Sequence, residues 1–205
     1  EYGGGGLGLA SAAAILEEVH KSGGNAAACH AQMYVMGAVL RHGSAAQKQA
    51  YLPGVASGEL RLQAFAVTEP GSGSDAGGMR TTAVRGEGGW VLNGSKTFIT
   101  NGTYANCALV LAVTDKDKGT RGGISAFLVE KGTKGFRSGK KENKLGLRAS
   151  DTGEVVFDRC RVGKQQLLGK LNEGFVDSLR VLDGGRISIA ALSIGIAQGA
   201  YDAAL

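Results

Sequence analysis

The residues with the clearest capacity for chemistry form one short stretch, Thr68 to Asp75, which reads Thr-Glu-Pro-Gly-Ser-Gly-Ser-Asp. It follows an apolar alternating run, Leu62 to Val67, that is typical of a strand. Glycines allow the backbone to approach a bulky anion without a Cβ in the way, and serine hydroxyls and free N–H groups can bond its oxygens. The stretch therefore predicts a cradle for a large anionic ligand, although a plain Gly/Ser-rich turn has the same composition.

The chain around this cradle changes from helical to β-rich and back. Residues 1–60 carry apolar residues at helical spacing, residues 61–166 carry short β-favouring runs, and residues 167–205 return to a helical pattern. We therefore predict an α+β protein with three parts. These are a helical N-terminal domain, a middle antiparallel β domain built as a barrel or sandwich, and the start of a C-terminal helical bundle.

Local signals refine these elements. In the helical part, Ser44 and Gln47 have the spacing of a capping box, and Pro53 is expected to end the helix that follows. In the β part, Asn93-Gly94 and Asn101-Gly102 follow β-favouring runs, and Asn-Gly is the strongest short signal for a hairpin turn. The β domain is therefore expected to be a meander with a hairpin at each pair.

Composition limits the classes of ligand. The 205 residues are 43% hydrophobic, and 23 Lys and Arg side chains against 18 Asp and Glu give a net charge of +5. This charge is too small to imply nucleic acid and is compatible with an anionic ligand. Three cysteines without a Cys-x-x-Cys pair favour a reduced, intracellular compartment. No metal site is predicted, because metal-ligand spacing is absent among the three histidines, His20, His30 and His42.

Three further patterns in the sequence have more than one interpretation. Gly3-x-Gly5 and Gly71-x-Gly73 lack the strand-to-helix context of a dinucleotide-binding fold. Residues 131–148 hold seven basic side chains and one acid, which is either a solvated surface or a contact for a phosphorylated ligand. Residues 187–205 are apolar on nearly every face, but polar side chains interrupt the run, so we predict a helix packed among helices rather than a membrane span. Its Gly195-x-x-x-Gly199 pair suits close helix packing.

Four motifs, in this order and spacing, resemble those of the acyl-CoA dehydrogenase family. They are Thr68–Asp75, Leu92–Gly102, Lys144–Thr152 and Leu182–Arg186. The resemblance covers essentially the whole chain: later helices of the family's N-terminal domain, its middle β domain and the start of its C-terminal bundle. With Glu1 rather than Met at the start and an apolar pattern still running at Leu205, the chain is interpreted as a fragment that lacks both ends.

The resemblance implies an FAD enzyme that removes hydrogens from Cα and Cβ of an acyl-CoA thioester and leaves a trans-2-enoyl-CoA. Eight residues are expected to contact FAD by their place in the motifs: Phe65, Val67, Thr68, Gly73, Ser74, Phe98, Ile99 and Thr100. Gly73 and Ser74 should reach the pyrophosphate, and Phe98, where many members carry Trp, should pack on the isoalloxazine. Ser74, Asp183 and Arg186 are expected to contact CoA.

The catalytic base is not assigned. Most members of the family keep a glutamate far along the C-terminal domain, which corresponds to a position beyond Leu205. A subset keeps it immediately before the Arg of Asp-x-x-Arg, where this chain has Gly185. Glu69 has a structural part in the family. We therefore expect the base beyond Leu205 and little or no dehydrogenase activity from these residues alone.

The resemblance also implies partners. They are an electron-transfer flavoprotein as acceptor and a homotetramer, in the cytoplasm or, in a eukaryote, in the mitochondrial matrix, with a role in fatty acid β-oxidation. Two other functions stay open. An oxidase-like flavoenzyme would pass electrons to oxygen and release peroxide, whereas a non-catalytic flavin- or CoA-binding protein would bind without reduction. Acyl-chain length is not predicted, although the final helix resembles that of short-chain members.

Overall fold

In the computed structural model, which describes residues 1–205, three helices come first: α1 (Leu9–Lys21), α2 (Ala27–His42) and α3 (Ala45–Ser57). The predicted capping box is confirmed, because Ser44 Oγ accepts from the Gln47 amide at 3.2 Å and the Gln47 side chain accepts from the Ser44 amide at 2.9 Å. The predicted stop at Pro53 is wrong. Leu52 and Val55 are both buried, and their packing carries α3 past the proline to its end at Gly58.

The middle of the chain forms an eight-stranded sheet. Its strands are β1 (Ala64–Ala66), β2 (Thr82–Gly86), β3 (Gly89–Thr100), β4 (Cys107–Val113), β5 (Ile124–Glu130), β6 (Phe136–Lys141), β7 (Thr152–Gly163) and β8 (Leu167–Leu168). A short helix, α4 (Gly119–Gly122), separates β4 from β5. The order across the sheet is β6-β7-β3-β2-β4-β5-β8, with β1 also paired to β4.

The sheet is mainly antiparallel, as predicted, but it also contains two parallel pairings. β1 runs parallel to β4 over three residue pairs, and β2 meets β4 in parallel at Thr82 and Val113. The other pairings are antiparallel. The parallel pairings arise because β1 comes straight from the helical layer and enters beside β4, so that the cradle leaves the sheet between β1 and β2.

The meander prediction is wrong at Asn93-Gly94. β3 runs through this pair, and its ladder with β7 shifts register between Leu92 and Gly94. The Asn93 side chain accepts from the Arg159 amide at 2.8 Å, and a Cβ on Gly94 would lie 2.5 Å from Thr81 Oγ1. The pair therefore forms a bulge against two neighbouring segments instead of a turn. Asn101, at φ 57°, does turn the chain, but β4 then pairs with strands other than β3.

Two apolar cores lie on the two faces of the sheet. Along β4 the side chains alternate between them: Ala108, Val110 and Ala112 join one core, and Cys107, Leu109 and Leu111 join the other. The second core also contains Val35 of α2 and Leu52 of α3. The strand β4 is thus covered on both faces, and β1, after which the cradle begins, pairs with it.

The chain closes with one long helix, α5 (Gly174–Ala204). It crosses α1 at the predicted small residues: a Cβ on Gly195 would collide with the carbonyl oxygen of Glu17, and one on Gly199 with that of Lys21. The prediction of close helix packing there is confirmed. Other apolar side chains of α5 are exposed: Leu179, Ile187, Ile189, Ile194, Ile196 and Tyr201.

Candidate functional site

The cradle begins two residues after β1 and is folded on itself. Glu69 and Ser72 exchange two backbone hydrogen bonds, of 2.9 and 3.1 Å, around Pro70-Gly71. Ser72 Oγ donates to the Asp75 carbonyl at 2.6 Å, and Asp75 Oδ1 accepts from the Gly77 amide at 3.0 Å. These bonds use the side chains of Ser72 and Asp75 within the turn. The backbone of Gly73 and Ser74 is left to face the outside.

A buried ion pair lies beneath the cradle. Lys96 Nζ donates to Glu69 Oε1 at 2.8 Å and to the Val67 carbonyl at 3.0 Å. The Glu69 carboxylate also accepts from the amides of Arg80, at 2.7 Å, and Thr81, at 3.0 Å. The side chain of Lys96 is 0% exposed and that of Glu69 is 6% exposed. Glu69 is therefore fully engaged in holding the chain and does not face a ligand.

Burial and pairing act in opposite directions on this pair. Burial raises the pKa of Glu69, but the hydrogen bonds from Lys96, Thr81 and Arg80 outweigh it, and the pKa of the carboxyl lies below its ordinary value. For Lys96, burial lowers the pKa, the bond to Glu69 opposes this, and the pKa is lowered to about 8. Both groups are charged at pH 7, so the contact is an ion pair.

The second motif is joined to the cradle through β3. The Thr97 amide donates to the Thr68 carbonyl at 2.9 Å, directly after the anchored Lys96. The ladder of β3 with β7 then shifts register between Lys96 and Ile99, and Phe98 takes φ 56°, a left-handed conformation that is rare for a bulky side chain. The result is an aromatic side chain that is 62% exposed beside the cradle, although it comes from a strand.

The two residues after Phe98 are less exposed than its ring. The side chain of Ile99 is buried in the core below the sheet, so its backbone alone remains for a ligand contact. Thr100 is half-buried. Phe98, Ile99 and Thr100 do not line the cavity described next, and they reach the cradle through the bond between Thr97 and Thr68.

A cavity of about 540 Å³ lies between the cradle and α5. Five residues predicted from the sequence line it: Phe65, Val67, Thr68, Gly73 and Ser74. The cavity also has walls that were not assigned to a site, which are Asp75, Ala76, Gly77, Leu111, Thr120, Phe175, Ser178, Leu179 and Leu182. The helical spacing that places Phe175, Leu179 and Leu182 on one face of α5 is the sequence signal that could have indicated this wall.

Asp183 and Arg186 lie just beyond Leu182 on α5. Their side chains are 77% and 82% exposed and approach to 3.9 Å. They do not line the cavity, but they follow its wall along the helix. The structure therefore places the residues predicted to contact CoA outside the cavity lining, one and four positions after Leu182 on α5, with their charged groups in solvent.

Gly185, between these two residues, is covered by α2. A Cβ on Gly185 would collide with the ring of Tyr34. That ring also packs on Phe65, with centroids 5.7 Å apart, and edge-on against His30, at 4.8 Å. His30 Nδ1 is 3.0 Å from Ser188 Oγ, which ties α2 to α5. An aromatic ring thus fills the space in which a glutamate side chain at this position would begin.

The third motif supports the second. Asp151 Oδ2 accepts from Thr103 Oγ1 at 2.7 Å, and the Asp151 carbonyl accepts from the Asn101 amide at 3.0 Å. Lys141 Nζ lies 3.1 Å from the other carboxylate oxygen. Burial raises the pKa of Asp151, but the Thr103 and Lys141 contacts outweigh it and keep that pKa below its ordinary value. The motif therefore shapes the turn that follows Thr100 and does not line the cavity.

The site has donors and ring faces but little free acid. Hydroxyl groups of Thr68, Ser74 and Ser178 border the cavity, and its carboxylate comes from Asp75, which also caps Gly77. Nowhere in the chain do three or more His, Cys, Asp or Glu side chains approach closely enough to hold a metal ion. No helix has the length and apolar character needed to cross a membrane.

Comparison with known proteins agrees with this geometry. Residues 1–59 match the family model of the acyl-CoA dehydrogenase N-terminal domain, and residues 64–160 match that of the acyl-CoA dehydrogenase middle domain. The short-chain specific acyl-CoA dehydrogenase of Clostridium acetobutylicum is 45% identical over 100% of this chain and 54% of its own length. The human mitochondrial short-chain specific enzyme is 44% identical over 100% of this chain and 50% of its own.

Solved structures give the same result. The butyryl-CoA dehydrogenase of Megasphaera elsdenii superposes with a TM-score of 0.90 at 40% identity, covering 96% of this chain and 51% of its own. A chain from a study of the electron transferring flavoprotein of Acidaminococcus fermentans gives 0.92 at 44% identity, covering 97% and 52%. This chain spans about half the length of the relatives it matches. With both domain models matched and the fold shared, the chain belongs to the acyl-CoA dehydrogenase family.

Proposed function

We propose that this chain forms the FAD-binding and acyl-CoA-binding part of an acyl-CoA dehydrogenase that converts a short acyl-CoA thioester to the trans-2-enoyl-CoA. One observation carries the proposal. A strained bulge exposes the ring of Phe98 beside a folded Gly-Ser turn, and the two are joined by the bond from Thr97 to Thr68. Strained backbone conformations cluster at ligand sites, and an exposed aromatic ring offers a face on which a planar ligand can stack.

The residues of the site fit a flavin. The exposed face of Phe98 suits an isoalloxazine ring, with Phe65, Val67 and Thr68 along its edge. A Cβ on Gly73 would meet no atom within 4 Å, so the glycine leaves room for a diphosphate at the Gly73 and Ser74 amides. Bound FAD would supply the hydride acceptor, and these residues would orient it and exclude water.

The remaining assignments follow the cavity. Ser178 and the apolar residues Leu179 and Leu182 would border the acyl chain, and Ser74, Asp183 and Arg186 would meet the CoA moiety. A short acyl chain is supported by the names of the two relatives, which are short-chain specific. We also propose boundaries near residues 60 and 166 between the N-terminal, middle and C-terminal domains.

The base for the α-proton is proposed to lie outside these 205 residues. Glu69 is held by three donors, Asp75 caps the Gly77 amide, and the ring of Tyr34 occupies the space above Gly185. The proposed partners are an electron-transfer flavoprotein as acceptor and three further copies of the chain in a homotetramer. The cytoplasm, or the mitochondrial matrix in a eukaryote, is the proposed location.

The test is the visible spectrum of the FAD-loaded chain before and after anaerobic addition of butyryl-CoA. We expect flavin absorption that shifts on addition of butyryl-CoA but is not bleached. Bleaching would show that a carboxylate among these residues takes the proton, and Glu69→Gln and Asp75→Asn would identify which. Failure to retain FAD would refute the proposed function. In a chain extended to the relatives' length we expect bleaching, and peroxide release there would favour an oxidase.

A further inference from the structure

Lys96 and Glu69 form a buried ion pair where β3 meets the loop that contains the cradle. The stability of the fold does not by itself require an ion pair at this place. An apolar pair of similar volume often serves a protein core equally well, so a fully buried ion pair calls for an explanation at its own location. Here Lys96 is the last residue of β3 in regular register before the bulge. Lys96 pairs with Val155 and Ile99 with Gly153, so two residues of β3, Thr97 and Phe98, stand opposite one residue of β7. One residue is therefore extra, and Phe98 lies within the bulge.

The pair closes the loop that contains the cradle. Glu69 stands at one end of that loop, and its carboxylate accepts from the amides of Arg80 and Thr81 at the other end, at 2.7 and 3.0 Å. Lys96 then bonds the carboxylate at 2.8 Å and the carbonyl of Val67 at 3.0 Å. One ammonium group thus fixes the base of the loop to β3.

The same contacts set the position of the bulge. Lys96 holds Val67 and Glu69, the two neighbours of Thr68, and the Thr68 carbonyl in turn accepts from Thr97 at 2.9 Å. The residue after Thr97 is Phe98, held at φ 56°. A strained conformation persists when the surrounding contacts over-determine it, and these three bonds do so.

We propose that Lys96 and Glu69 are positioning residues that lock the cradle and the Phe98 bulge into one rigid unit before any flavin is bound. This inference rests on the proposed function for the identity of the ligand but not for the rigidity of the unit. Neither side chain touches the ligand, since both are sealed beneath the loop.

The experiment is amide hydrogen exchange of the 205-residue chain without flavin, followed by FAD titration, in wild type and Lys96→Met. Methionine keeps the length of the side chain and removes its charge and donors. We expect hydrogen exchange at the Thr97, Arg80 and Thr81 amides to become faster by about tenfold or more, which corresponds to the free energy of one charged hydrogen bond. The amides of β4 and β5 report global unfolding and serve as the reference. The FAD dissociation constant should rise by a similar factor.

The matched control is Lys140→Met, the same change on β6 of the same sheet, where Lys140 reaches Glu142 at 3.8 Å with its side chain 77% exposed. It should leave both readouts unchanged. Glu69→Gln keeps the shape of the carboxyl and replaces Lys96→Met if that variant does not fold. In the double variant Lys96→Met and Glu69→Gln, the effects on exchange rate and FAD affinity should be smaller than the sum of the two single effects, because each change breaks the same ion pair.

The outcomes separate the two proposals. Faster exchange at Thr97 in Lys96→Met, together with a wild-type chain that binds no FAD, would support the positioning role and refute the proposed function. FAD binding with unchanged Thr97 exchange and unchanged affinity in Lys96→Met would refute the positioning role alone. If the exchange rates in Lys96→Met rise equally in β4, in β5 and at Thr97, the ion pair stabilises the whole fold and does not position the cradle. This result would overturn the inference.

Discussion

The Lys96–Glu69 pair lies beneath the cradle, and the Asp183–Arg186 pair lies on α5 just beyond the cavity. The first pair is closed at 2.8 Å with side chains 0% and 6% exposed, whereas the second spans 3.9 Å with side chains 82% exposed at Arg186 and 77% at Asp183. The chain therefore fixes the region proposed for flavin from within. It leaves the region proposed for CoA free to adapt to its ligand.

This difference has a physical basis. A buried charge has no water to stabilise it, so it must keep its partners, and its neighbours become rigid with it. An exposed pair contributes at most about 1 kcal/mol, and its side chains can leave one another for a ligand without a large cost. We expect substitutions to sort accordingly: cradle changes affect both folding and FAD, and changes at Asp183 and Arg186 affect CoA alone.

The largest effect is expected for Glu69→Ala. The change strands the buried Lys96 charge and leaves the Arg80 and Thr81 amides without acceptors, so the free energy of unfolding should fall by about 3–5 kcal/mol. Urea unfolding followed by circular dichroism measures it. Asp183→Ala is the control and should stay within about 0.5 kcal/mol of wild type. Equal losses in the two variants would abolish the distinction between the pairs.

A smaller loss is expected where α5 meets α2. Gly185→Ala should destabilise the fold by about 1–3 kcal/mol, because the added methyl group collides with the ring of Tyr34. In a Tyr34→Ala background the same change should cost little, since the space is then open. Thermal unfolding of the four variants of this cycle gives the coupling. If Gly185→Ala costs the same in both backgrounds, Tyr34 does not occupy this space.

Below pH 4.5, acid should act on the cradle through Glu69. The pKa of Glu69 lies below its ordinary value of 4.5, so its contribution to stability is complete above pH 4.5 and is lost as the pH falls through the lowered pKa. Stability measured from pH 7 to pH 3 should therefore decline in two stages. The first lies below pH 6.5, because burial lowers the pKa of His20 and His30, and the second lies below pH 4.5, where the contribution of Glu69 is lost. Glu69→Gln should fall less steeply below pH 4.5, with Asp151 still contributing. An identical slope in both proteins would remove Glu69 from the acid response.

Phe98→Gly should separate stability from binding. Glycine adopts φ 56° without strain, and the ring is mostly exposed, so the free energy of unfolding should stay level or rise by up to about 1 kcal/mol. The same change removes the stacking face, and FAD affinity should fall by about tenfold. Calorimetry and flavin fluorescence measure the two effects. A marked loss of stability would show that the ring serves the core.

The smallest effect on folding is expected for Arg186→Gln. The side chain is 82% exposed, so unfolding should change by less than about 0.5 kcal/mol and FAD affinity should be unchanged. Affinity for CoA, measured by calorimetry, should fall severalfold because a charge that we propose to meet the CoA moiety is lost. Arg180→Gln, also on α5, is the control, and an equal loss of CoA affinity there would make the effect one of general charge.

The sequence predicted what local patterns decide. The capping box of Ser44 and Gln47 depends on residues three apart, and the Gly195 and Gly199 pair depends on one helical turn, and both were found. Five of the predicted FAD residues do line one cavity. Asn93-Gly94 failed because its fate is set by distant partners, the amide of Arg159 and the side chain of Thr81. A hairpin signal cannot report a contact with Arg159, which lies 66 residues further along the chain.

The missed parts of the site share this cause. Nothing in the neighbourhood of Lys96 indicates that its charged end is buried, because the partner Glu69 comes 27 residues earlier in the chain and the contact exists only after β3 has passed beneath the cradle. The exposure of Phe98 depends likewise on a register shift between β3 and β7. Alternation along a strand would have placed this ring and Lys96 on one face.

The most direct test of the central claim is a titration of the wild-type chain with FAD, followed by quenching of flavin fluorescence. If the cradle and the Phe98 bulge are formed in advance, FAD should bind at one molecule per chain, and the flavin fluorescence should be quenched by the stacked ring. Free, unquenched flavin at saturating protein would contradict the account, since a rigid cradle with an exposed ring would then have no flavin to hold.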